Sequence, residues 1–164
     1  AYTGHFGSTV KGYGTGAGTV NQPQGLDVDY QGNLYYTQLG DYFSVHMISP
    51  DLSGDFAVYT SGFQPGGNQI MDMGRFISAL DVSVDNQRNV YVVDNVNSDI
   101  TVFNFEGDYF KKIGYDKDSL TTMIEPVAVA IDDRGVVYAC DRASSSIYRF
   151  KLSNTLNEDI IPED

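Results

Sequence analysis

Acid–base and covalent chemistry needs histidines, thiols, hydroxyls or carboxylates at usable spacings, and this sequence offers few of the first two. It contains two histidines, His5 and His46, a single cysteine, Cys140, and no tryptophan. A zinc site draws its ligands from a cluster of Cys, His and carboxylate groups, which two isolated histidines do not make. Cys140 closes the apolar run VVYAC, where a thiol is expected to be buried and inert. One cysteine also excludes an intrachain disulfide. Ser144, Ser145 and Ser146 form a polar loop without the glycines of a nucleophile elbow. The run GYGTGAG leads through Val-Asn-Gln-Pro into a strand. With no helix N-terminus to meet a phosphate, it reads as a flexible connector.

Oxygen ligands are better represented. Asp27, Asp29 and Asn33 alternate along DVDYQGN, with Gly32 allowing a tight bend. Such a run is the one calcium candidate here, and calcium the one cofactor the sequence leaves open. It lacks the terminal Glu of an EF-type loop, and a hairpin turn capped by Asp and Asn is the favoured reading. The same reading covers Asp85 with Asn86 and Asp132 with Asp133.

The elements that position these groups emerge from self-similarity. Residues 23–38 (PQGLDVDYQGNLYYTQ), 79–94 (ALDVSVDNQRNVYVVD) and 126–141 (PVAVAIDDRGVVYACD) align. In each, an alternating apolar strand enters a polar turn and a second strand carries Tyr at one register, at Tyr35, Tyr91 and Tyr138. A third strand follows a short polar loop, beginning at Tyr42, Asp99 and Ser146. A fourth follows Gly54 and Gly107 in the first two copies, while the third has only EDII from Glu158. The period-2 alternation inside each segment predicts an antiparallel meander of four strands. The tyrosines recur 56 and 47 residues apart, the first interval slightly longer than the ~40 to 50 residues of a propeller blade. The excess lies in the Gly- and Pro-rich stretch between the first two copies.

These residues resemble NHL repeats, in which a Pro, an apolar strand ending in Asp, a Gly-containing turn and a strand of the type NVYVAD precede one of the type RIQVF. The likeness is strongest at NVYVVD (89–94) with ITVF from Ile100, and at 126–141. It implies an all-β fold, a β-propeller of four-stranded antiparallel blades with about three blades in this chain. Residues 1–164 then form one partial propeller unit: a terminal strand and connector (1–21), blade 1 (22–60), an inserted loop (61–76), blade 2 (77–115), and a connector with blade 3 (116–164).

Some propellers of this kind are metal-dependent lyases or hydrolases with a channel site. His5, in the terminal strand, and His46, in a third strand, fall away from the channel-lining first strands and recur in no other blade. Ligands of propellers meet the face where second strands turn into third strands, here loops 39–41, 95–98 and 142–145. Asp94, Asn95, Asn97, Asp141 and Arg142 are therefore the candidate binding residues, suited to sugar or protein and equally to ordinary turns.

Lys and Arg total 10 against 22 Asp and Glu, a formal net charge of −12. That surface repels phosphate backbones and anionic lipid, so neither nucleic acid nor a membrane surface is the expected partner. No stretch approaches the ~18 apolar residues of a membrane span. Three blades fall short of the 4 to 8 of known rings. The expected partner is thus another copy of the chain, or another propeller segment, that completes the ring. The chain starts at Ala1 rather than Met, as a processed or excised protein would. The expected function is a non-catalytic scaffold or binding module for protein association, extracellular or on the cell surface. A metal-dependent lyase or hydrolase and a carbohydrate-binding module are the alternatives.

Overall fold

The computed structural model describes residues 22–39, 44–48, 57–60, 78–114 and 123–151. Among these are eleven strands and no helix. The first sheet runs β1 (Pro23–Val28), β2 (Leu34–Gln38), β3 (Ser44–Ile48), β4 (Ala57–Thr60); the second runs β5 (Ala79–Val84), β6 (Val90–Asp94), β7 (Asp99–Phe103), β8 (Tyr109–Ile113). The third holds β9 (Pro126–Ile131), β10 (Val136–Asp141) and β11 (Ser146–Lys151). All pairings join consecutive strands antiparallel. The expected terminal strand with His5, the connector, the inserted loop 61–76 and the EDII strand lie outside the described residues.

Turn chemistry sets the register. In the first hairpin the Asp29 N–H donates to the Asn33 carbonyl (3.0 Å) and the Gly32 N–H to the Asp29 carbonyl (2.9 Å). The pattern repeats at Asp85, Arg88 and Asn89, at Asn104, Gly107 and Asp108, and at Asp132, Gly135 and Val136. A three-residue hairpin of this kind needs its last loop residue in the left-handed region. Glycine fills it three times, at φ between +79° and +92°, and Arg88 does so at +65°.

Alternation gives every sheet a forward face toward the next sheet and a backward face toward the preceding one. Tyr35 and Val45 on the first sheet's forward face pack on Val82, Val90, Val92 and Phe103 of the second. The second sheet's forward Tyr91, Val93, Ile100 and Val102 pack on Val129, Val137, Ala139 and Phe150 of the third. Each valine, isoleucine and phenylalanine among them contributes roughly 1.5–3 kcal/mol on removal from water. The sheets approach most closely along their first strands, β1 against β5 and β5 against β9, so they fan outward from a common inner edge.

Candidate functional site

A carboxylate recurs at the β1–β2, β5–β6 and β9–β10 hairpins, and each is absorbed by its own turn. Asp29 Oδ1 accepts the N–H groups of Gln31 and Asn33 (both 2.9 Å). Its Oδ2 accepts Asn33 Nδ2 (2.8 Å), the Tyr35 hydroxyl (3.2 Å) and Arg88 Nε (3.0 Å) from the second sheet. Burial pushes the Asp29 carboxyl up, but the bonds from Asn33, Gln31 and Arg88 together hold it below its ordinary 3.8. Asp85 repeats the arrangement with Gln87, Asn89 and the Tyr91 hydroxyl. In the third hairpin Arg134 takes both free corners of Asp132 Oδ2. The calcium candidates are therefore separated: Asp29 and Asn33 bond each other, while Asp27 reaches away to β5. Among the described residues no cluster of three or more His, Cys, Asp or Glu side chains could hold a metal ion.

The five loop-face candidates do come together, in two equivalent loops that tie each second strand to the chain entering its own blade. Asp94 Oδ1 accepts the N–H groups of Ser78 (3.1 Å), Val96 (3.2 Å) and Asn97 (3.1 Å), and its Oδ2 accepts Asn97 Nδ2 (2.6 Å). Asp141 accepts the N–H groups of Ser144, Ile124 and Glu125. Burial raises the Asp141 carboxyl, yet these backbone donors outweigh it and the net shift is downward. Asn95 Nδ2 crosses to the Pro126 carbonyl (3.2 Å) of the third sheet. Arg142 pairs with Glu125 at the surface. Asp94 and Asp141 are 0% and 2% exposed, their oxygens taken up in tying together strand ends within each blade.

Two further carboxylates act between sheets, Asp81 unmarked by any sequence motif and Asp27 marked only as a calcium candidate. Asp27 Oδ2 accepts Ser83 Oγ (3.1 Å) and the Val84 N–H (2.8 Å), and Asp81 Oδ2 accepts the Val129 N–H (2.9 Å). Each first strand thus caps a backbone donor on the inner edge of the next. Asp81 lies so close to Gly25 that a β-carbon there would sit 2.6 Å from the Asp81 Cα. Burial, despite the Val129 N–H, raises the Asp81 carboxyl, with the Asp27 charge adding to the rise. In the second sheet Asp99 is buried with Lys112 (2.6 Å) and Thr101. Desolvation outweighs the lysine there and the Asp99 carboxyl is raised. Burial also lowers His46, which stacks on Tyr36 at 5.0 Å.

The faces at either end of the fan differ from those inside it. Cys140, expected to be buried, is exposed. On β10 it alternates onto the forward face of the third sheet, beside Ala128 and Ile147 in register, where no following sheet is described. Ile147 is 74% exposed. On the backward face of the first sheet Leu26 and Val28 are 69% and 52% exposed.

No family model matches the chain, and no curated protein matches it in sequence. Solved structures do share its fold. A streptogramin B lyase is 16% identical with a TM-score of 0.58, the match covering 87% of this chain and 40% of that one. Virginiamycin B lyase from Staphylococcus aureus is 15% identical with a TM-score of 0.53, over 82% and 42%. A protein of unknown function from Bacteroides caccae is 12% identical, also at 0.53, over 87% and 45%. These radially fanned meanders are β-propeller blades. The chain spans less than half the length of each of these structures, so its three blades correspond to part of a propeller.

Proposed function

We propose that this partial propeller is a non-catalytic association module of NHL type, extracellular or at the cell surface, whose ligand is protein. The observation that carries it is the exposure of apolar side chains on the outermost described sheets, Cys140 and Ile147 on the third and Leu26 and Val28 on the first. Exposed apolar side chains that adjoin one another, as Cys140 and Ile147 do in register, support a protein contact there. The NHL kinship is supported by the residues 89–94 and 126–141 and by the Asp that closes each of those second strands. Chemical cross-linking of the protein at native concentration, followed by mass spectrometry, tests this reading. Cross-links from the end blades to any protein chain are expected, and their complete absence refutes it.

A second reading follows from the inner-edge carboxylates and the lyase fold neighbours: a metal-dependent lyase or hydrolase with its site in the channel of a completed ring. Here Asp27 and Asp81 are the channel-side carboxylates. Both already accept backbone donors, which weighs toward the association reading. Metal analysis of purified protein separates the two, since a stoichiometric divalent ion lost on Asp27→Ala or Asp81→Ala would favour the enzyme.

A further inference from the structure

We infer that the hairpin-turn end of the first two blades binds a neutral oligosaccharide, with Tyr30 as the stacking platform for a pyranose ring. This end lies opposite loops 95–98 and 142–145, because the β1–β2, β5–β6, β7–β8 and β9–β10 turns all fall on one side of the antiparallel meanders. It is a different surface from the blade flanks on which the association reading stands, so either can fail without the other. Two aromatic side chains stand in these turns, Tyr30 at 71% exposed and Phe105 at 40%. Arg88 links them across the seam between the blades. Its Nε donates to Asp29 Oδ2 (3.0 Å), one residue before Tyr30, while its guanidinium lies 4.5 Å over the Phe105 ring. The Tyr30 hydroxyl accepts Gln31 Nε2 (3.3 Å), and Asn86 and Gln87, exposed beside Arg88 in the second turn, add two further amides.

The make-up of this surface matches a sugar better than a protein. Apart from the two aromatics, turns 29–33, 85–89, 104–108 and 132–135 hold only Asp, Asn, Gln, Glu, Arg and Gly. No aliphatic side chain is among them, whereas the loop face exposes Val96 at 58% and Ile124 at 60%; a protein contact would draw on apolar surface of that second kind. A pyranose presents an apolar C–H face ringed by hydroxyls. An aromatic ring with a polar tip covers such a face, and planar amides and a guanidinium, whose donors and acceptors lie in fixed directions, take the hydroxyls. Charge chooses among sugars: at a formal −12 the chain repels uronates and sulfated or sialylated glycans and leaves the neutral ones. The platform is also formed in advance. Arg88 holds φ +65° where the matching turn positions are Gly32, Gly107 and Gly135, and its side chain keeps the two blades' turns together before a ligand arrives, which spares part of the ordering cost of binding.

Native electrophoresis through gels cast with galactomannan, mixed-linkage β-glucan, xyloglucan or polygalacturonate, alongside a printed array of neutral oligosaccharides, tests the inference. The wild-type protein is expected to be retarded by at least one neutral polysaccharide and to pass the polygalacturonate gel unhindered. Tyr30→Ala should weaken the retaining interaction by about tenfold, and Tyr30→Phe, which keeps the ring, should retain most of it. Blank neutral gels together with a blank array overturn the inference, as does retardation that Tyr30→Ala leaves unchanged or a preference for polygalacturonate. Loss on Tyr30→Ala of a cross-link to another protein, with every sugar blank, overturns it in favour of a protein contact at the turns. Since Tyr30 is exposed, neither substitution disturbs the core, and retained far-ultraviolet circular dichroism confirms folding in each variant.

Discussion

At the residue scale, carboxylates that look alike in sequence have opposite relations to pH. Asp29 and Asp141 sit below their ordinary pKa, so the folded state binds fewer protons than the unfolded chain. Their contribution is present above about 3.8 and is lost as pH falls toward the folded values. Asp81 and Asp99 are raised. Their ionisation costs the folded state, a cost absent below 3.8 and fully felt once pH has risen through the folded values. Asp29→Asn should therefore destabilise more at pH 7 than at pH 3. Asp81→Asn should destabilise less at pH 7 than at pH 4, its amide oxygen still accepting the Val129 N–H. Urea unfolding at the paired pH values checks both signs. Asp94→Ala strands three backbone donors in a buried site and should cost about 3 kcal/mol. Arg142→Ala removes only an exposed ion pair and should leave the urea midpoint unmoved. The sequence marks Asp94 and Asp141 as special through their repetition. Their partners, Ser78 in one case and Ile124 and Glu125 in the other, lie too far along the chain for spacing to reveal, so a structural staple and a ligand contact read alike.

At the scale of the element, strands and hairpins were legible because alternation and turn residues are local signals. The joints between blades were not. Gly25 is one such joint, an unremarkable glycine in the sequence that the neighbouring Asp81 backbone turns into a steric requirement. Gly25→Ala should cost well over 2 kcal/mol, as overpacking against backbone does. Gly135, at φ +79° with open space around its missing β-carbon, should cost only about 1 kcal/mol on the same change. Arg88 is the other joint. It accepts a left-handed backbone while its guanidinium crosses to Asp29 and lies 4.5 Å over the Phe105 ring. Arg88→Gly should consequently be more stable than Arg88→Ala by about 1 kcal/mol, since both lose the contacts and only glycine sheds the strain. Thermal or urea unfolding of the pair decides this.

For the whole molecule, the number of blades could be counted from the repeat, but the fate of the end faces required knowing which alternate residues point forward. Cys140 shows the limit: its apolar neighbours in sequence predict burial, while its strand parity places it on the open side. Charge sets a second condition on assembly. With −12 on each chain, pairing of copies works against mutual repulsion that added salt screens within about 8 Å at physiological ionic strength. Any self-association should strengthen between about 20 and about 300 mM NaCl in sedimentation velocity, and a fall would point to charge attraction instead. The carboxylate bridges between inner strands carry a final implication. Asp27 and Asp81 fasten the first two seams, but their counterparts on β9 are Ala130 and Ala128, which offer nothing to fasten with. Any chain packed on the third sheet's forward face would therefore be held at its inner edge by side-chain packing alone, without a carboxylate that bridges to a backbone donor.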